Sequence, residues 1–160
     1  MKVAEGERPH GKTIMSRADI KRAIAWHMTA AADEAAAVRA LREADALTKD
    51  ALRQHLRAYI LYKYRLAPGE ALDGDGAAEE RLEKLAQISL DKMLKEAPEQ
   101  AVAETVSATC DGADSVSMKL ALLLMAVQED FEVTFDGYEV AFAETVDELV
   151  ELAWKSIERG

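Results

Sequence analysis

The chain has 160 residues, a formal net charge of −10 and one cysteine, Cys110, so one ordinary domain or two small helical ones are expected, folding without disulfide staples. Acidic against basic residues count 9 against 13 over 1–70, 9 against 4 over 71–110 and 12 against 3 over 111–160; an acidic surface of this kind repels nucleic-acid phosphates and attracts proteins with basic patches. No apolar run approaches the roughly 20 residues of a membrane span, and no charged-then-apolar leader with a cleavage site is evident, so the expected setting is cytoplasmic, with protein partners, no nucleic acid and no membrane span.

In chain order, residues 1–15 read as a disordered leader. It contains "GERPHGKT", Gly6 to Thr13, which satisfies the G-x-x-x-x-G-K-[ST] pattern of a phosphate-cradling loop. That loop works only between a buried strand and a helix, and neither context is present here. Ser16 followed by Asp19 resembles a capping box, and Ile20, Ile24 and Met28 then recur at helical spacing into an alanine-rich run ending near Ala46. A second helix is expected from Thr48, stacking Leu52, Leu56, Ile60 and Tyr64 on one face and stopping at Pro68-Gly69. "ALDGDGAA" is a loop, and a third helix is expected from Ala77 to Ala97, its apolar side carrying Leu82, Leu85, Ile88, Leu90, Met93 and Leu94. "FEVTFDGYEVAF" alternates polar and apolar residues, but two strands so short need a sheet to join, so it reads as a loop with a short helical turn. A last helix starts near Thr145, where Thr145 and Glu148 form a capping box and Val146, Leu149, Val150, Ala153 and Trp154 face inward. The expected domains are the leader 1–15, an N-terminal helical extension 16–76 and a helical bundle 77–160.

Catalytic constellations are missing from the sequence. His10, His27 and His55 stand apart, with no carboxylate or cysteine at ligand spacing, and read as surface or packing residues; no metal is expected. Cys110 has no basic neighbour in sequence to lower its pKa and reads as an inert thiol. A protein that is not an enzyme is therefore expected.

The stretch "DGADSVSMKLALLLMAVQEDF", residues 111–131, sets two serines before an apolar helix. Asp114, Ser115 and Ser117 are all favoured N-cap types, and a helix N-terminus also favours an added phosphate, through its free N–H groups and the positive end of the macrodipole. From about Gly112 to Ser156 the chain resembles the second half of an acyl carrier protein, whose central stretch runs approximately G-A-D-S-L-x-x-V-E-L-V-M-A-L-E-E-x-F; this chain offers "GADSV" and "SMKLALLLMAVQEDF". With Ser117 in the place of the family's serine, Met118, Ala121, Leu123, Leu124 and Val127 take the buried positions and Gln128, Glu129, Asp130 and Phe131 take those of E-E-x-F. With Ser115 in that place, the Asp-Ser dipeptide is kept as Asp114-Ser115, but Lys119 and Glu129 fall where the family buries a valine and an aromatic. The first helix of the family is matched either by "EERLEKLAQISL" or by "LRQHLRAYILYKYRLAPGEALDGDG".

The resemblance implies an all-α fold, a carrier-protein-like four-helix bundle behind an N-terminal helical extension. It implies a shuttle that carries acyl or aminoacyl groups as thioesters on a serine-linked 4′-phosphopantetheine arm, with Ser117 or its rival Ser115, preceded by Asp114, as attachment site. The implied partners are a phosphopantetheinyl transferase and acyl-processing enzymes, whose basic patches would dock on Met125, Gln128, Glu129, Asp130 and Glu132. The competing expectation is a non-enzymatic helical adaptor or homodimer that buries the apolar face of 117–127. Leu120 and Leu122 make this helix apolar nearly all round, which predicts burial on more than one side.

Overall fold

The computed structural model describes residues 16–67, 80–96 and 115–160. The phosphate-loop pattern at 6–13, the loop at 71–78, the segment 99–110 with Cys110, Asp114, and the expected domain boundary at 76/77 lie outside the described residues. Among those described, the chain forms six helices and no strand: α1 Arg17–Glu43, α2 Lys49–Lys63, α3 Leu82–Glu96, α4 Ser115–Phe131, α5 Gly137–Val140 and α6 Val146–Arg159. None of them is long and apolar enough to cross a membrane.

Helix α1 starts where Ser16 accepts from the Asp19 amide at 3.1 Å. Its buried residues are Ala31, Ala35 and Val38, spaced as one helical face and small enough to let α2 approach closely. That explains why a long helix with so little bulk is stable: α2 supplies the volume through Leu52, Leu56, Tyr59, Ile60 and Leu61. The two fold back as a hairpin and pack along each other.

Three helices end the same way. Ala46 donates to Leu41 O at 2.8 Å, Leu66 to Leu61 O at 2.9 Å and Val133 to Gln128 O at 3.1 Å. Each closure passes through a residue with positive φ, namely Asp45, Arg65 and Glu132, which is the Schellman arrangement without its usual glycine. This ends α2 at Lys63, short of the expected stop at Pro68, because the turn returns Leu66 to the core beside Leu61.

Helix α3 begins at Leu82, later than expected, because Glu80 and Arg81 are extended against the start of α6. Arg81 bridges Thr145 in antiparallel fashion. Leu82 donates to Glu144 O at 2.9 Å and Val146 to Glu80 O at 3.0 Å. Two helix N-termini thus satisfy each other's free amides. On α3, Leu82, Leu85, Leu90 and Met93 are buried as expected, together with Ala86 and Ser89, whereas Leu94 is exposed and Ile88 half-buried. The Ser89 hydroxyl is satisfied by donating to Tyr64 O at 2.9 Å.

Helix α6 starts with the expected capping box: Thr145 Oγ1 accepts from the Glu148 amide at 3.1 Å and Glu148 Oε1 from the Thr145 amide at 3.1 Å. It buries Val146, Leu149, Val150 and Ala153, with Trp154 half-buried. After α4 ends at Phe131 and the chain turns at the left-handed Glu132, the link to α5 buries Val133 and Phe135, so that every second residue from Phe131 onward is buried. Asp136 then caps the single turn of α5, its Oδ1 accepting from the Tyr138 and Glu139 amides at 2.9 and 3.0 Å. No hairpin forms. Helices α1 and α3 pack on α4, and α2 packs on α6, around one continuous core in which Tyr59, Phe131, Leu149 and Val150 are fully inaccessible.

Candidate functional site

Helix α4 is held by Leu123, Val127 and Phe131, which are buried, and by the partly buried Val116, Leu120 and Leu124. The spacing 116, 120, 123, 127, 131 is one helical face. It points at the core and sets which residues face outward: Ser117, Ala121, Leu122, Met125 and Glu129. Ser117 lies exposed on the first turn and Ser115, the first helical residue, is half-buried.

The first turn of α4 holds no acidic side chain. Lys119 lies one turn from Ser115, its ammonium 5.3 Å from the centre of the Tyr64 ring, while the Tyr64 hydroxyl donates to Lys119 O at 3.4 Å. Leu120, expected to be covered, packs on the core; Leu122 does not, and is 54 % exposed. Of the positions that the family pattern buries in the Ser117 register, Leu123 and Val127 are buried, Met118 and Leu124 are half-buried, and Ala121 is exposed. Glu129, which the Ser115 register would bury, is exposed, and Phe131 is fully buried.

The far end of α4 is tied down. Arg39 donates to Asp130 O, and Arg42 donates to Phe131 O at 2.7 Å and Glu132 O at 3.0 Å. Two guanidinium groups of α1 therefore cap the carbonyl end of α4, where the helix dipole is negative. The Arg39 side chain also comes within 3.9 Å of Glu132, a loose pair between exposed groups.

The five residues expected to dock partners divide into two sets. Met125, Glu129 and Glu132 are exposed, whereas Gln128 and Asp130 are half-buried and turned to internal partners. Gln128 Oε1 accepts from the Phe135 amide at 2.9 Å, holding the extended link against the helix. Asp130 Oδ2 accepts from the Tyr59 hydroxyl at 2.6 Å. Burial first, then this hydrogen bond and the negative charges of Asp130 and Glu129, hold the Tyr59 phenol well above its ordinary pKa.

Sequence reasoning missed the long-range polar contacts. The histidine on α2 does have a carboxylate partner, from another helix: His55 Nδ1 lies 2.7 Å from Glu34 Oε1. His27 Nδ1 donates to Ala23 O at 2.7 Å within α1, and no group of three or more His, Cys, Asp or Glu is arranged for a metal among the described residues. The strongest pair is Arg57 with Glu80, both nitrogen–oxygen distances 2.8 Å. The Glu80 side chain is only 3 % exposed. A signal existed for Tyr59 alone: a phenol three residues past Leu56 on the apolar face of α2 requires a buried acceptor.

Compared with known protein families, with curated proteins and with solved structures, the chain matches none.

Proposed function

We propose that the protein is an acyl-carrier-like shuttle, non-catalytic itself, that presents an acyl or aminoacyl group to partner enzymes from a 4′-phosphopantetheine arm on Ser117, with Ser115 as the rival attachment site. The observation that carries this reading is the register of α4: an exposed serine on the first turn, followed by an inward face that ends at a fully buried Phe131. This is the spacing at which the sequence resembles the carrier family. The carrier-like arrangement of the bundle is part of the same proposal.

The residues present fit the group. A phosphodiester on the first turn would sit at the positive end of the helix dipole, with no acidic side chain in that turn and the cation of Lys119 further along the helix. When bound, the arm supplies a thiol at the end of a flexible chain. The chain's own residues orient and display. Leu123, Val127 and Phe131 hold α4 rigidly on the core, Arg39 and Arg42 anchor its C-terminal end, and Met125, Glu129 and Glu132 form an acidic and apolar docking surface for basic patches. Docking of that kind weakens with salt.

The test is the intact mass of the purified protein before and after incubation with coenzyme A and a broad-specificity phosphopantetheinyl transferase, repeated on Ser115→Ala and Ser117→Ala. A gain of one arm, lost in Ser117→Ala and kept in Ser115→Ala, is the expected result. A second reading, a helical adaptor or homodimer, is favoured by the exposed Leu122 and Met125 on α4 and the exposed, edge-to-face Tyr138 and Phe142. It predicts no mass gain, and self-association or partner binding that is insensitive to salt.

A further inference from the structure

Phe131, Phe135 and Trp154 pack in or against the core. The other two aromatic residues of this part of the chain do not: Tyr138 is 77 % exposed and Phe142 65 %. Their rings stand edge to face, centroids 5.2 Å apart and planes inclined at 66°. Neither ring packs against the core, on which α5 rests through Val140. Rings this exposed stand proud of the surface, so they can be covered by another surface but cannot enclose a small molecule.

The backbone that carries the pair is held from both sides. Gln128 Oε1 of α4 accepts from the Phe135 amide, Ser156 Oγ of α6 accepts from the Thr134 amide at 2.9 Å, and Lys155 of α6 pairs with Glu139 at 3.0 Å. A surface fixed before contact loses little conformational freedom on binding. Its charge is also one-sided. Residues 120–154 include nine acidic residues and no Lys, Arg or His. Glu139 and Glu144 are paired, with Lys155 and with Arg81. Asp136, two residues before Tyr138, is exposed and makes no ion pair with a described residue; its Oδ1 caps α5.

We infer that α5 and Phe142 form a docking surface for an arginine-bearing segment of a partner protein. A guanidinium group of the partner stacks on the exposed rings and donates to the Asp136 carboxylate, while its aliphatic stem covers Phe142. Arginine suits this surface better than lysine, because its planar group is weakly hydrated and stacks on aromatic faces while its N–H groups still reach a carboxylate. Negative charge along 120–154 attracts such a segment and repels nucleic acid and anionic lipid. The inference stands apart from the carrier proposal: it needs neither serine modified and uses none of Met125, Glu129 and Glu132.

The experiment is titration of the full-length protein, followed by amide NMR shifts, with a synthetic peptide of four Arg-Gly-Leu repeats and with its lysine and citrulline counterparts. Saturable binding of the arginine peptide is expected, with the largest shifts at 136–144. The lysine peptide should bind about threefold more weakly and the citrulline peptide, which keeps the planar group without its charge, about tenfold. Tyr138→Ser combined with Phe142→Ser alters only exposed side chains and should weaken the arginine peptide about tenfold. Asp136→Ser keeps a capping hydroxyl while removing the charge, and should weaken it about fivefold. Tyr138→Phe keeps the ring, and Asp33→Asn removes an exposed carboxylate of α1; both should leave binding unchanged. No saturable binding, equal binding of the citrulline peptide, or full affinity in the double serine variant would each overturn the inference. An equal loss in Asp33→Asn would overturn it in favour of non-specific charge attraction. Self-association of the protein alone that the double serine variant abolishes would overturn it in favour of a second copy of the chain on this surface.

Discussion

The Tyr59 hydroxyl, on a side chain with no exposed surface, donates to the Asp130 carboxylate at 2.6 Å and so joins the middle of α2 to the last turn of α4. The same ring meets Phe131 edge to face, with centroids 4.9 Å apart. One side chain thus fills the core and satisfies a half-buried carboxylate beside the surface expected to dock partners.

Tyr59→Phe keeps the packing and removes the donor, so a loss of about 1–3 kcal/mol is expected from the midpoint of urea unfolding at neutral pH. The alkaline behaviour has a definite sign. Because the folded state holds the phenol above its ordinary pKa, this stabilisation is complete below the unfolded value near 10 and is lost as pH rises above it. The stability difference between wild type and Tyr59→Phe should therefore shrink between pH 9.5 and about 11. A difference that grows over that range would refute the assignment.

Glu80 is the most deeply buried carboxylate described, paired twice to Arg57 and braced by the bridge between Arg81 and Thr145. Glu80→Ala leaves a half-buried guanidinium without its acceptor, and a cost of about 3 kcal/mol is expected. Arg57→Met combined with Glu80→Leu should recover most of that loss, because desolvation of the two charges is removed with the pair. Denaturant midpoints of the single and double variants decide the matter; a double variant as unstable as Glu80→Ala would show that the backbone bracing, not the charge pair, is what matters.

The left-handed residues closing α1 and α2 predict gains rather than losses. Asp45 and Arg65 both have φ 58°, a conformation that costs a side chain about 1 kcal/mol and costs glycine little. Asp45→Gly and Arg65→Gly should each raise stability by about 0.5 kcal/mol once the greater freedom of glycine in the unfolded chain is counted. Thermal unfolding by circular dichroism would register the increase, and lowered melting temperatures in both would contradict the turn geometry.

Arg42 links α1 to the carbonyl end of α4. Arg42→Ala should cost about 1–2 kcal/mol and speed amide hydrogen exchange in the last turn of α4 while leaving α6 protected. Faster exchange throughout the chain would instead point to a global effect.

Helix positions were legible because they follow from local rules. Ser16, Thr48 and Thr145 cap as their chemistry requires, and Asp136 starts a turn of helix. The apolar rows Leu52, Leu56, Ile60 and Val146, Leu149, Val150, Ala153 are buried because period 3.6 puts them on one face. The stop at Pro68 was misplaced because an arginine in the left-handed region carries no compositional mark. The late start of α3 was equally hidden, since the partner of Glu80 and Leu82 is the backbone some 60 residues away.

The sequence by itself determined the helices of the described residues, the caps that start several of them and the serine-headed apolar helix on which the carrier proposal rests, since neighbours within four residues decide each of these. Tertiary structure decided which polar groups face each other. It turned Asp130 and Gln128 inward, brought Arg39 and Arg42 to the end of α4, and collected Lys63, Arg65 and Lys119 into one trough. Apart from the Gln128–Phe135 contact, these polar pairings join residues 20 to more than 90 positions apart. They depend on how helices cross, which the packing of small residues such as Ala31 and Ala35 against α2 sets, and no local pattern records it.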